Sequence, residues 1–150
     1  MKMSKRSARI ALGLTLLSGA AALHAQPQLI LISGAAAPGG VSAQDVTPDG
    51  VTVVGTSDGR AFRWTEVGGV EFLTASDFLH TFDASVSDDG AVVASTLVNP
   101  VDNIVSAATW TQGGGWSFLG CLPGVIPTPE DPAQCSTAYD ISGDAAAVVG

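Results

Sequence analysis

Beyond residue 25 the chain is built of short apolar or alternating runs, broken every few positions by Asp, Gly and Pro. Val51 to Thr56 is rich in β-branched residues and too short for a helix, so it reads as a strand. Thr47-Pro48-Asp49-Gly50 before it is turn chemistry. Proline presets φ at the second position, and glycine accepts a left-handed conformation at the last. Residues 43–47 then form the preceding strand of a hairpin. Ser57-Asp58-Gly59 makes the next turn, residues 60–65 the third strand, Val67-Gly68-Gly69 another turn, and residues 70–73 the fourth strand. Phe62 and Trp64, two apart, face one side of the sheet. No stretch after residue 25 sustains a 3.6-residue apolar period. Residues 74–82 fit either one short helical turn or a loop packed by its aromatics.

This unit is written more than once. Asp45-Val-Thr-Pro-Asp-Gly-Val-Thr-Val-Val-Gly55 returns as Ser85-Val-Ser-Asp-Asp-Gly-Ala-Val-Val-Ala-Ser95 and as Asp140-Ile-Ser-Gly-Asp-Ala-Ala-Ala-Val-Val-Gly150. The phrase Ala61-Phe-Arg-Trp-Thr returns as Ala107-Ala-Thr-Trp-Thr. Asp49, Gly50, Asp89, Gly90 and Asp144 are the turn residues of the repeat, and Phe62, Trp64, Trp110 and Trp116 its expected core. In the third copy Ala145 replaces the turn glycine, which would cost about 1 kcal/mol if Ala were held left-handed. A turn shifted onto Gly143 is the alternative. Four short antiparallel strands per repeat predict an all-β fold of β-propeller-like blades, with a β-solenoid or a small β-sandwich as alternatives.

Spacing locates the loops. The segment from Trp to Leu (Trp64 to Leu73, Trp110 to Leu119) has the same length in both copies, whereas the second copy gains residues before its Trp and after its Leu. Insertions are accepted where backbone is exposed, so both points are expected to be surface loops. The predicted organisation is a signal peptide at 1–25, a strand and Gly/Pro/Ala linker at 26–41, repeat 1 at 42–82, repeat 2 at 83–135 and a truncated repeat 3 at 136–150. Gln28 to Ser33 reads as the last strand of an earlier unit. The third unit stops before its Phe-x-Trp strand, so the expectation is a longer natural chain, or open sheet edges closed by self-association or by a partner.

The ends and the charge change the picture. Lys2, Lys5, Arg6 and Arg9 precede an apolar run from Ile10 to Leu23 and a small-residue stretch ending at Ala25. That is the layout of a secretory signal cleaved after Ala25, or after Ala22. The run is too short to span a bilayer, so no transmembrane segment is expected in the mature chain. After cleavage fourteen acids face only Arg60 and Arg63, a net charge of about −12, which disfavours nucleic acid as a partner. Cys121 and Cys135 lie in the longer connection, and an exported chain with two cysteines is expected to join them in a disulfide.

The repeat, with its Asp-Val-Thr-x-Asp-Gly-x-x-Val-Val-Gly and Ala-Phe-x-Trp-Thr phrases, resembles the HAF-type bacterial extracellular repeat. Such repeats also occur in passenger regions of autotransporter-like surface proteins. The likeness covers Ser42–Leu73, Ala84–Leu119 and Ser136–Gly150. It departs at Ala108, where Phe is usual, and at Ala94-Ser95 for Val-Gly. The resemblance implies a secreted, β-rich bacterial protein at or beyond the cell surface, with no catalytic residues to carry over.

Candidate chemistry is sparse. Gly55-Thr-Ser57-Asp-Gly59 fits a nucleophile-elbow pattern, but that pattern requires a strand–turn–helix and a positioned His, and His80 is the lone His after residue 25. Ser87-Asp-Asp-Gly90 resembles the structural aspartate box of sialidases, whose arginine cluster Arg60 and Arg63 cannot supply alone. An acid pair such as Asp45 with Asp88 is the glycosidase alternative. Asp45/Asp49, Asp88/Asp89 and Asp140/Asp144 are weak candidates for Ca²⁺, which wants six to eight oxygens; Asp more often serves such turns by bonding its own backbone. Trp64, Trp110 and Trp116 are a carbohydrate platform or, more simply, core. The expected function is a secreted noncatalytic scaffold for surface, adhesion or extracellular interaction with an unknown protein or glycan. No cofactor is expected. The alternative is an exported propeller-type hydrolase.

Overall fold

Successive side chains of a strand point to opposite faces, so short strands with two apolar faces must be covered on both sides. The computed structural model describes residues 29–32, 40–73, 80–99, 101–125 and 135–150. The expected signal peptide and the segments 74–79 and 126–134 lie outside them. The first sheet holds β1 (Val41–Val46), β2 (Thr52–Ser57), β3 (Arg60–Thr65) and β4 (Gly69–Phe72) in sequential order. The second repeats that order with β5 (His80–Val86), β6 (Val92–Val98), β7 (Val105–Thr111) and β8 (Gly115–Phe118). A two-stranded sheet pairs β9 (Asp140–Ile141) with β10 (Val148–Val149). All pairings are antiparallel, none of the sheets closes into a barrel, and the described residues contain no helix.

The strands fall within one or two residues of their expected places in the first unit. Two expectations change. Residues 80–82 belong to β5, and residues 29–32 are not in a strand. The insertion in the second copy is also only partly a loop. Val98 pairs with Val105, one rung beyond the counterpart of Ser57–Arg60, and the remaining residues lengthen the turn.

Stacking is set by which face each residue occupies. In sheet 1, Val54, Ala61 and the adjacent Leu73 pack against Ala84, Val86, Val93, Trp110 and Trp116 of sheet 2. In sheet 2 the opposite face, Ala94 and Ala107, packs against Ala138, Ile141 and Val148 beside the last two strands. The two interfaces use equivalent positions. Val54 and Ala61 correspond to Ala94 and Ala107, and Val86 and Val93 correspond to Ile141 and Val148. The stack is therefore head to tail. The outer face of sheet 1 carries Phe62 and Trp64, buried, with Val53, Val70, Phe72 and Ile32 packed around them.

The departures at Ser95 and Ala108 fall on one cross-strand pair. Gly55 sits opposite Phe62, and a Cβ at Gly55 would lie 3.0 Å from the ring and collide with the β1 backbone at Ser42. Ser95 sits opposite Ala108 in the same register, and both are buried. A glycine beneath a large ring has been exchanged for two small residues.

Candidate interaction site

The three turns are built from the same bonds. Thr47, Ser87 and Ser142 hydroxyls donate to Asp49, Asp89 and Asp144 at 2.6, 2.7 and 2.7 Å. The same carboxylate oxygens accept the amides of Val51, Ala91 and Ala146 at 2.9, 2.9 and 3.0 Å. The hydroxyl oxygens in turn accept the amides of Thr52, Val92 and Ala147. Each acid thus satisfies backbone donors that a tight turn leaves free.

These bonds hold all three carboxyls below their ordinary range. The leading cause is the Thr47 hydroxyl for Asp49, the Ala91 amide for Asp89 and the Ser142 hydroxyl for Asp144. A depressed folded-state pKa stabilises the fold above the unfolded carboxylate value of about 3.9 and is lost as pH falls through the folded value. Thermal melts should therefore show the midpoint dropping below about pH 4. The Asp49→Asn/Asp89→Asn/Asp144→Asn variant should lose less over the same range. Parallel pH profiles for the two proteins would disprove a role for the turns.

Ala145 takes the left-handed conformation at φ 59°, as Gly50 and Gly90 do at 73° and 69°. The turn does not shift to Gly143. That glycine lies against Asp88: a Cβ there would displace the exposed Asp88 carboxylate, and the Gly143 carbonyl accepts the Asp88 amide at 2.9 Å. Ala145→Gly should raise stability by about 1 kcal/mol. A urea midpoint that stays put or falls would show that the alanine is unstrained.

Two of the hydrolase candidates, Ser57 and Asp45, have structural places in the fold. Ser57 is buried at the end of β2, and Asp58-Gly59, both at positive φ, form a two-residue hairpin turn leading into β3. The Gly55–Gly59 motif is therefore strand–turn–strand, without the helix an elbow requires. Asp45 spends both oxygens on amides, Oδ1 on Val46 at 2.7 Å and Oδ2 on Val86 at 2.8 Å. Beside it Gln44 Oε1 accepts the Ala84 amide at 2.8 Å. These two side chains, at a bulge in β1, tie sheet 1 to sheet 2. In the sequence Asp45 is legible only as an acid. The one available signal is that an Asp or Ser recurs at 45, 85 and 140. The side chain of His80 lies outside the described residues. Among those that are described, no three or more His, Cys, Asp or Glu gather as a metal-binding group.

Trp64 and Trp110 are buried, while Trp116 is half-buried and donates from Nε1 to the Leu73 carbonyl at 2.8 Å. They pack the sheets and offer no exposed platform. Arg60 and Arg63, three apart on β3, go to opposite faces. Arg60 stacks on Phe72 at 3.9 Å from the ring centre. Arg63 opens on a cleft between sheets 1 and 2 of about 330 Å³, with Thr65, Glu71 and Gln112 on its walls. Its buried Nε has no hydrogen-bond partner among the described residues. A guanidinium, a hydroxyl, a carboxamide and the Glu71 carboxylate in one cleft offer both donors and acceptors, which suits the hydroxyls of a sugar rather than an anion. This cleft is not legible in the sequence, because its walls come from both sheets.

Cys121 and Cys135 are joined, with Cα atoms 4.6 Å apart, within the usual span of a disulfide. Beside the bridge a groove of about 320 Å³ runs along β10, walled by Ala107, Leu119, Leu122, Val148 and Val149. No helix among the described residues is long and apolar enough to cross a membrane. No family model, curated protein or solved structure matches the chain.

Proposed function

We propose that this chain is an exported, noncatalytic β-repeat scaffold of the HAF type, serving surface attachment or another extracellular interaction. Its sheets act as propeller-like blades, one per repeat. The observation that carries this reading is the reuse of one construction: the same hydroxyl–carboxylate turn three times, and the same head-to-tail packing of sheets twice. Two of the side chains put forward for chemistry have structural duties: Ser57 is buried at the end of β2, and Asp45 ties the two sheets together. Such an array presents loops and clefts at a fixed spacing, which suits recognition. The partner is an extracellular protein or glycan, and the Arg63 cleft is the place for its polar groups.

Cell fractionation of the native host tests export. The chain is expected in the medium or accessible to protease on intact cells, beginning at Gln26, or at Leu23 by the earlier cut. Full-length protein from Met1 retained in the cytoplasm overturns the reading. Turnover of glycosides or esters that copurifies with the folded chain and vanishes in Ser57→Ala or His80→Ala would overturn its noncatalytic half.

A further inference from the structure

Arg63 and Glu71 are partners across β3 and β4, and the second copy pairs Thr109 with Ser117 at the same place on β7 and β8. The phrase around them is kept: Thr65, Gly68 and Gly69 return as Thr111, Gly114 and Gly115. The unit is thus built equally well with two small hydroxyls, and its framework does not call for the charges of Arg63 and Glu71. Keeping the arginine also costs stability. Its buried Nε has no hydrogen-bond partner among the described residues, and an unsatisfied buried donor is unfavourable. A ligand oxygen would satisfy it. Arg63 and Gln112 moreover line two adjoining clefts. The first, of about 330 Å³, adds Thr65, Gly68, Gly69 and Glu71. The second, of about 380 Å³, adds residues 89–92 and Thr111. Each has the size of a small-ligand site.

We propose that these two clefts bind a neutral oligosaccharide, one ring in each, astride Arg63 and Gln112. A sugar hydroxyl accepts and donates at once. It takes the Arg63 Nε–H and passes its own proton to the Glu71 carboxylate, and in the second cleft Asp89 is the acceptor. The Thr65 oxygen already accepts the Gly68 amide at 3.0 Å, so its proton is left for a sugar oxygen. The Gln112 carboxamide supplies both functions, and Ala91 and Val92 offer apolar contact to the C–H groups of a ring. Two carboxylates stand against one guanidinium, and the whole chain is acidic, so an anionic ligand is disfavoured. The proposal deepens the scaffold reading by naming the ligand, and rests on it for where that ligand is met. Binding by the purified chain is read without reference to export, so either can fail alone.

The test titrates the purified chain with glucose, N-acetylglucosamine and the cello-, malto- and chito-oligosaccharides of two to four units, followed by amide chemical shifts. Oligogalacturonate is the anionic control. Saturable one-to-one binding of at least one neutral series is expected, with shifts centred on Thr65, Glu71, Asp89 and Gln112. In that series the disaccharide should bind at least about tenfold more tightly than its monosaccharide. Arg63→Thr and Glu71→Ser install the second copy's residues. Each should weaken binding at least about tenfold and keep the cooperative melt of the parent. Absence of saturable binding in all three series up to about 10 mM, by a cooperatively folded chain, overturns the proposal. So does binding that both substitutions leave unchanged, or a disaccharide no tighter than its monosaccharide. Preference for oligogalacturonate would make the clefts an anion site, and a melt lowered by Arg63→Thr would make the arginine a framework residue; either result sinks the idea.

Discussion

Replacing Trp110 with alanine will lower stability by about 3–5 kcal/mol, the largest effect expected of any single substitution in the chain. The indole is buried between sheets 1 and 2, against Val54, Ala61 and Leu73 on one side and Val93 and Val86 on the other. Its removal leaves a void that neither sheet can close. Each is fixed by its own ladder, and the two are tied together by Gln44 and Asp45 through the amides of Ala84 and Val86. Trp116→Phe is the companion. It keeps most of the apolar contact and removes the N–H bond to Leu73, so about 1 kcal/mol is expected. Urea titrations read by circular dichroism avoid the lost fluorophore. A Trp110→Ala loss below about 1 kcal/mol would show that the first two sheets are not held by this contact.

Opening the Cys121–Cys135 bridge comes next, at about 3 kcal/mol for a loop of this length. The bridge matters beyond its loop because it anchors the start of the segment that leads into β9. The Cys135 amide donates to the Val105 carbonyl at 2.8 Å, Ser136 Oγ accepts the Ala107 amide at 2.9 Å, and Thr96 Oγ1 accepts the Ala138 amide at 2.9 Å. These bonds lay residues 135–138 along sheet 2 and deliver β9 to its place. Cys121→Ser/Cys135→Ser, or the parent with reductant, should shift the urea midpoint down, and the amides of Ala138 and Ile141 should lose protection before those of β6. Equal midpoints with and without reductant would show that the surrounding hydrogen bonds hold this segment without the bridge.

Several elements are legible in the sequence for one reason: their partners are close in the chain. Asp49, Asp89 and Asp144 bond to groups two residues away, so their turns come from Ser/Thr-x-Asp spacing alone. Ala145 also announces its strain, since its conformation is set by the same short turn. The role of Asp45 is hidden because its partner, the Val86 amide, lies 41 residues on. The exchange of Gly55 and Phe62 for Ser95 and Ala108 is a cross-strand matter, visible only once the register pairs them.

By itself the sequence determined that the chain is all-β, that its strands come in repeated antiparallel sets joined by acid-capped turns, and that two cysteines meet. Each of these depends on local dihedral preference, on the two-residue period of strands or on simple cysteine pairing. The tertiary structure decided which face of each sheet meets which neighbour, that Arg63 opens on a cleft while Arg60 stacks on Phe72, and where that cleft and the groove beside the disulfide lie. Those depend on how two-sided apolar surfaces are matched over distances the chain order does not encode. Burial rewards any close fit of apolar area, and the particular fit is chosen by side-chain volumes and hydrogen bonds that come together only when the sheets stack.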